Sequence, residues 1–272
     1  MGSPTRPIVG IPRVLTIAGS DSGGGAGIQA DLKTFVALGC HGMSALTAVT
    51  AQNTRGVTAI HDVPPDIVEA QIDAVITDIG MDACKTGMLS SASIIEAVAR
   101  ALERHAVSNV VVDPVSVSTS GAKLLQDDAV EAMRDRLLPL ARVVTPNLHE
   151  AALLAGHDVD SLDGMREVAH EIHALGPRTV LVKGGHHGGD RAIDIFFDGS
   201  THHELIGTRY DTQDTHGTGC VLSAAIAARL AHGDDLIDAV RAGKAFVSGA
   251  IERGLKLGGG YGPVNPAWRS AP

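Results

Sequence analysis

Two glycine-rich loops and one cysteine are the residues of this chain best suited to chemistry. The later loop, Asp214-Thr-His-Gly-Thr-Gly-Cys220, stands immediately before an Ala/Ile/Leu segment of helical period. Glycines there let the backbone N–H groups of Gly217, Thr218 and Gly219 converge on one point, and the positive end of the following helix adds to them. Such a cup suits a phosphoryl group or the charge developed during its transfer. For Gly-Thr-Gly alone, an ordinary capped helix start is the competing reading. Cys220 falls at the helix N-terminus, where a thiol pKa is lowered. It is expected to act as a base or nucleophile, against the alternative of an inert buried thiol. No G-x-x-x-x-G-K-[ST] occurs, which argues against a Walker-type NTPase.

The earlier loop, Gly19-Ser-Asp-Ser-Gly-Gly-Gly-Ala-Gly27, contains Gly25-Ala-Gly-Ile-Gln-Ala30, a match to the dinucleotide fingerprint. That fingerprint wants an acid at the end of the second strand to hold a ribose. The segment there, Thr50-Ala51-Gln52-Asn53, has none, so an NAD-dependent oxidoreductase rests on the loop alone. Asn147 and Glu150 stand three apart at a helix start after Thr145-Pro146. They read equally as a capping box or as a Mg²⁺–phosphate site with Glu150 acting through water. The thirteen histidines, His186-His187 and His202-His203 among them, show no zinc spacing and read as solvated.

These residues need elements to hold them. Short β-branched runs (14–18, 44–49, 83–86, 109–112, 143–145 and 179–183) alternate with helical segments at 27–38, 67–75, 94–105, 129–138, 165–175, 220–230 and 236–255. Such alternation implies right-handed βαβ units and a mostly parallel sheet covered by helices on both faces. Around Asp198-Gly199-Ser200 the rhythm breaks into a hairpin, which predicts an antiparallel edge. The polar residues at predicted strand ends (Asp21, Gln52, Lys85, Asp113, Asn147, Lys183) then share one site, because ligands of such sheets bind outside the strands' carboxyl ends.

A formal charge of −9 and the absence of a Lys/Arg run argue against nucleic acid as a partner. Three unpaired cysteines read as reduced thiols of a cytoplasmic protein. The longest apolar stretch near the C-terminal third is too short and polar to span a bilayer. Residues 1–12 read as a flexible leader, not a signal peptide, and residues 13–272 as one α/β domain.

Six ordered blocks carry a resemblance. They are Ala18-Gly-Ser-Asp-Ser-Gly-Gly-Gly-Ala-Gly-Ile-Gln-Ala-Asp-Leu-Lys-Thr34, Ala48-Val-Thr-Ala-Gln-Asn-Thr54, Lys85-Thr-Gly-Met-Leu89, Val143-Val-Thr-Pro-Asn-Leu-His-Glu-Ala151, Lys183-Gly-Gly-His186 and Thr215-His-Gly-Thr-Gly-Cys-Val-Leu-Ser223. Together the chain resembles the hydroxymethylpyrimidine/phosphomethylpyrimidine kinases of thiamine biosynthesis, within the ribokinase-like superfamily. The resemblance implies a homodimer that uses ATP and Mg²⁺ to phosphorylate a hydroxymethylpyrimidine twice. It also implies that Gln52 reads the aminopyrimidine, with Gly19, Asp31 and Met88 completing that pocket. Asn147, Lys183 and Thr218 fall to the ATP phosphates, Glu150 and Asp113 to the metal, and Cys220 to the position of a base. Cys220 stands where sugar kinases of the superfamily carry Asp, which argues against a sugar acceptor. A pyridoxal or pyridoxine kinase is the nearest alternative.

Overall fold

The computed structural model describes residues 10–126, 128–185 and 191–269. The predicted alternation closes into one nine-stranded sheet, in the order β3-β2-β1-β4-β5-β6-β7-β8-β9. Strands β1 (Arg13–Asp21), β2 (His41–Asn53), β4 (Ala83–Thr86), β5 (Val110–Val112), β6 (Val143–Val144) and β7 (Val180–Val182) run parallel. At one edge β8 (Arg191–Phe197) and β9 (His202–Thr208) are antiparallel and turn at the predicted Asp198-Gly199-Ser200 hairpin. At the other edge β3 (Gly56–Asp62) folds back on β2, a strand the sequence reading did not include.

Burial on both faces explains why these strands are continuous apolar runs. Leu15, Ile17, Val110, Val112, Val144, Val180 and Val182 point into one core. Their neighbours Val14, Val111, Val143 and Leu181 point into the other, as the two-residue period requires. Helices α2 (Pro65–Asp78), α3 (Ala92–Arg104), α5 (Leu148–Ala155) and α6 (Leu162–His173) cover the first face. Helices α1 (Gly27–Ala37), α7 (Thr218–Ala231) and α8 (Leu236–Glu252) cover the second. Because α7 is rich in Ala, α8 approaches it closely: a Cβ on Gly243 would stand 2.7 Å from Ile226 Cγ1. A larger residue there would force the helices apart, at a typical cost of about 1–3 kcal/mol.

Residues 129–138 differ from the single helix predicted. They form a short α4 (Ala129–Ala132) that widens into a π-turn over Met133–Leu137 and tightens into a 3₁₀ turn over Leu138–Leu140. Pro139, which lacks an N–H and disfavours the α conformation of the residue before it, ends regular helix there.

The two strands that reach the site are offset locally. Ala18 pairs with Leu46, but Ser20 pairs with Val49, so β2 carries an extra residue opposite Gly19. This bulge bends the carboxyl ends of β1 and β2 where the first glycine loop departs. Among the described residues no helix is long and apolar enough to cross a membrane.

Candidate active site

A cleft of about 590 Å³ opens over the carboxyl ends of the parallel strands. The two glycine loops meet in it. Gly217 begins α7 with φ +84°, a conformation that strongly favours glycine. A Cβ there would overlap the carbonyl oxygen of Gly25. The loops are therefore one packed unit rather than two separate sites. Asp21, at the end of β1, organises the first loop by accepting N–H hydrogen bonds from Gly23 (2.8 Å), Gly25 (3.0 Å) and Ala26 (2.8 Å). Its Oδ2 also lies 2.9 Å from His216 Nε2. Burial alone would raise the Asp21 pKa, but His216 and the N–H groups of Ala26 and Gly23 outweigh it and hold the carboxyl below its usual range. Amides engaged by a carboxylate are not free to cradle a pyrophosphate. The dinucleotide reading of this loop fails on that geometry.

A second cluster sits at the ends of β5 and β7 and the start of α5. Lys183 Nζ lies 3.0 Å from Asp113 Oδ1 and 3.7 Å from Glu150 Oε2. Thr145 Oγ1 and Ser223 Oγ lie 3.2 Å from the two oxygens of Asp113. A Cβ on Gly219 would stand 3.3 Å from Lys183 Nζ, so the pair lies directly against the cup. Burial would neutralise Lys183, but the charges of Asp113 and Glu150 outweigh it and keep the ammonium. Burial likewise pushes Asp113 up, and Lys183 and Lys85 bring it below its ordinary value. Glu150 is pushed up to about 7, by burial first and by Asp113, against Lys183 and the N–H groups of Asn147 and Ser116.

Both hydrogen bonds of the capping box are made. Asn147 Oδ1 accepts from Glu150 N–H (2.9 Å), and Glu150 Oε2 accepts from Asn147 N–H (2.8 Å). Glu150 nevertheless lines the cleft, so the capping and phosphate-region readings do not exclude each other. Hard carboxylate oxygens are the donors that Mg²⁺ prefers, and one or two of them with phosphates and waters are enough to hold it. Asp113 and Glu150 fit that description. No group of three or more His, Cys, Asp or Glu placed to hold a metal occurs among the described residues.

Cys220 is half-buried in the first turn of α7. Contrary to the expectation from its helix position, its thiol is pushed up to about 11. Burial is the main cause, with Asp31 and Asp113 adding to it and Lys85 and the Gly27 backbone opposing it. Beneath it Lys85 Nζ lies 2.9 and 3.1 Å from the Asp31 oxygens, and Thr16 Oγ1 donates to Asp31 Oδ2 at 2.6 Å. Burial opposes the Lys85 charge, and the carboxylate of Asp31 more than restores it.

Of the predicted residues, Gly19, Gln52, Met88, Asp113, Glu150, Lys183, Gly217, Thr218, Gly219 and Cys220 line the cleft. Asp31, Lys85 and Asn147 do not: the first two are sealed under the floor and Asn147 caps α5. At the β1–β2 end, a Cβ on Gly19 would stand 3.1 Å from Met88 Sδ, and Thr50 Oγ1 lies 3.0 Å from Gln52 Oε1. His216 and Tyr261 also line the cleft, unassigned in the sequence reading, as does Asp21, which that reading places at the site without a role. Asp21 and His216 lay inside quoted motifs, but nothing local signals a contact across 195 positions. His186 and His187 lie outside the described residues.

A mostly parallel sheet with antiparallel edges, a helix begun by Gly217 at the carboxyl ends of the strands and a Lys–carboxylate cluster beside it have the architecture of a ribokinase-like α/β domain. The profile of the family described as phosphomethylpyrimidine kinase matches residues 21–265. A hydroxymethylpyrimidine/phosphomethylpyrimidine kinase of Streptomyces coelicolor is 54% identical over 268 residues, 98% of each chain. Among solved structures, an ADP complex of Bacillus subtilis pyridoxal kinase superposes with a TM-score of 0.89 at 40% identity, covering 96% of this chain and 100% of that one. A phosphomethylpyrimidine kinase of Clostridium difficile gives 0.79 at 44%, covering 88% and 99%. This chain belongs to the phosphomethylpyrimidine kinase family.

Proposed function

We propose that this chain transfers the γ-phosphoryl group of ATP to the hydroxymethyl oxygen of 4-amino-5-hydroxymethyl-2-methylpyrimidine. It then phosphorylates the resulting monophosphate to the diphosphate, on the route to thiamine diphosphate. One observation carries the reading: Gly217, Thr218 and Gly219, at the N-terminus of α7, share a cleft with a Lys–carboxylate cluster on one side and the Gln52 amide on the other. A 54% identical relative bearing that name supports the choice of acceptor.

In the proposed chemistry the acceptor oxygen bonds to the γ-phosphorus as the bond to the β–γ bridging oxygen breaks, and ADP leaves. The positive N-terminal end of α7 meets the charge spread over the transferring oxygens. Lys183, held charged by Asp113, faces the ATP phosphates. Asp113 and Glu150 would hold Mg²⁺, which would supply charge neutralisation to the phosphates during transfer. Gln52 presents donor and acceptor together to the aminopyrimidine, with Gly19 and Met88 forming the wall beside it. Cys220 acts as base only in its thiolate form, which takes the alcohol proton and becomes the thiol as the phosphoryl group arrives; with the thiol at about 11 that form is a small minority at neutral pH and grows as pH rises. The same reading takes the protein to be a cytoplasmic homodimer, and its free cysteines suit a reducing compartment.

The test is turnover with MgATP of the hydroxymethylpyrimidine, pyridoxal and ribose, with NAD binding as a control. Sequential mono- and diphosphate formation from the pyrimidine, with ribose inert, is expected. Preference for pyridoxal would move the chain to the activity of its Bacillus subtilis structural neighbour. Phosphorylation of ribose alone would overturn the reading.

A further inference from the structure

The chain has only two tyrosines, and both Tyr210 and Tyr261 line the cleft, whereas all four phenylalanines are buried in the core. Tyr210 follows β9, at the Lys183 side of the sheet. Tyr261 lies at the other end, delivered by a strap that follows α8. Its backbone N–H donates to the carbonyl of Thr54 at 2.8 Å, two residues beyond Gln52. On the far side of the ring, Gly262 O accepts from His216 N–H at 3.0 Å, and Val264 N–H donates to His216 O at 3.1 Å. The strap thus ties the Gln52 hairpin to the cup.

Glycines make that path possible. A Cβ on Gly260 would overlap the Thr54 carbonyl, and one on Gly262 would overlap the Asp214 carboxylate. The backbone on both sides of Tyr261 is therefore packed and hydrogen-bonded. The residue is 46% exposed and lines the cleft. A large ring on a fixed backbone, left uncovered beside a polar reader, is what a flat heteroaromatic ligand needs for stacking.

We propose that Tyr261 is a specificity-determining residue of the acceptor end, its ring stacking on the face of the aminopyrimidine whose edge Gln52 reads. This rests on the pyrimidine activity proposed above. Stacking on a planar base tolerates any polar pattern on the ring edge, so Tyr261 supplies affinity for flat aromatic acceptors while Gln52 selects among them. Sugars have no π-face to stack on it in this way.

Steady-state kinetics test this, beginning with wild-type turnover of the pyrimidine, whose absence would remove both readings. With that turnover in hand, Tyr261→Ala is expected to raise the KM for hydroxymethylpyrimidine roughly 5- to 100-fold. The KM for ATP and kcat should hold within about twofold, and Tyr261→Phe should behave as wild type. Tyr261→Leu, which keeps bulk without a π-face, should fall with the Ala variant. An unchanged pyrimidine KM in the Ala variant overturns the proposal while leaving the activity standing. So does a rise in the KM for ATP instead, which would place the ring with the nucleotide, or a Phe variant as impaired as Ala.

Discussion

His216 Nε2 lies 2.9 Å from Asp21 Oδ2, and this contact joins the two glycine loops into one packed unit. The carboxylate also collects three backbone N–H groups of its own loop, so one side chain sets the geometry of both.

Asp21→Asn cannot satisfy all of those donors, and hydrogen bonds to a charged group contribute about 1.5–3 kcal/mol each way. The variant should melt lower than wild type at neutral pH. The sign with pH follows from the carboxyl's folded pKa lying below its unfolded value of about 3.9. Its stabilisation is present above that unfolded value and is lost as pH falls through the folded pKa. The gap in melting temperature between wild type and Asp21→Asn should therefore narrow on acidification. A gap constant from pH 7 down to the acid transition would refute the charged clasp.

Gln52 should matter for one ligand only. Leaving a buried ring group unpaired is worth about 1–3 kcal/mol, so Gln52→Ala should weaken pyrimidine binding and leave ATP binding nearly unchanged, as titration calorimetry can read. Equal losses for both ligands would remove Gln52 from the acceptor end.

For Glu150 the capping bond and the charge can be separated. Glu150→Gln retains an oxygen able to accept from Asn147 N–H but loses the carboxylate. A near-normal melting temperature with a raised Mg²⁺ requirement is expected. Unchanged Mg²⁺ dependence with lowered stability would leave the residue as a cap alone.

The buried pair of Lys85 and Asp31 predicts a stability effect. Removing one member of such a pair is typically destabilising by about 3–5 kcal/mol, because the other charge stays buried. Lys85→Met should show that loss in urea unfolding, and Lys85→Met with Asp31→Leu should recover most of it. A double variant no better than the single one would mean that packing, not charge, dominates there.

Cys220 can be tested through its two acceptors. An alcohol must lose its proton during transfer, whereas a phosphate monoester with a second pKa near 6 is already mostly ionised at pH 7. General-base assistance is typically worth ~10²–10⁴-fold. Cys220→Ala should thus cut the first phosphorylation severely and the second mildly. With the thiol at about 11, the wild-type first step should also keep rising with pH above neutrality. Equal losses on both acceptors would make Cys220 a structural part of the cup.

The sequence by itself determined the sheet, the helices on its two faces, the hairpin at its edge and the six blocks that mark the family. These are legible because hydrophobic period, turn residues and motif spacing act over a few neighbouring positions. Local reasoning also found the Asn147–Glu150 cap, whose two hydrogen bonds span three residues. Strand β3 is not legible in the sequence because its residues are largely exposed, so no buried face writes a pattern into them. Only the tertiary structure decided the electrostatics. Helix position argued for an acidic Cys220, but the fold surrounds its thiol with low-dielectric packing and the carboxylates of Asp31 and Asp113, and the pKa rises instead. Asp31 looked like a pocket residue until Lys85 was brought across 54 positions to neutralise it below the floor. Desolvation and long-range charge pairs depend on which surfaces meet in space, and no local pattern records that.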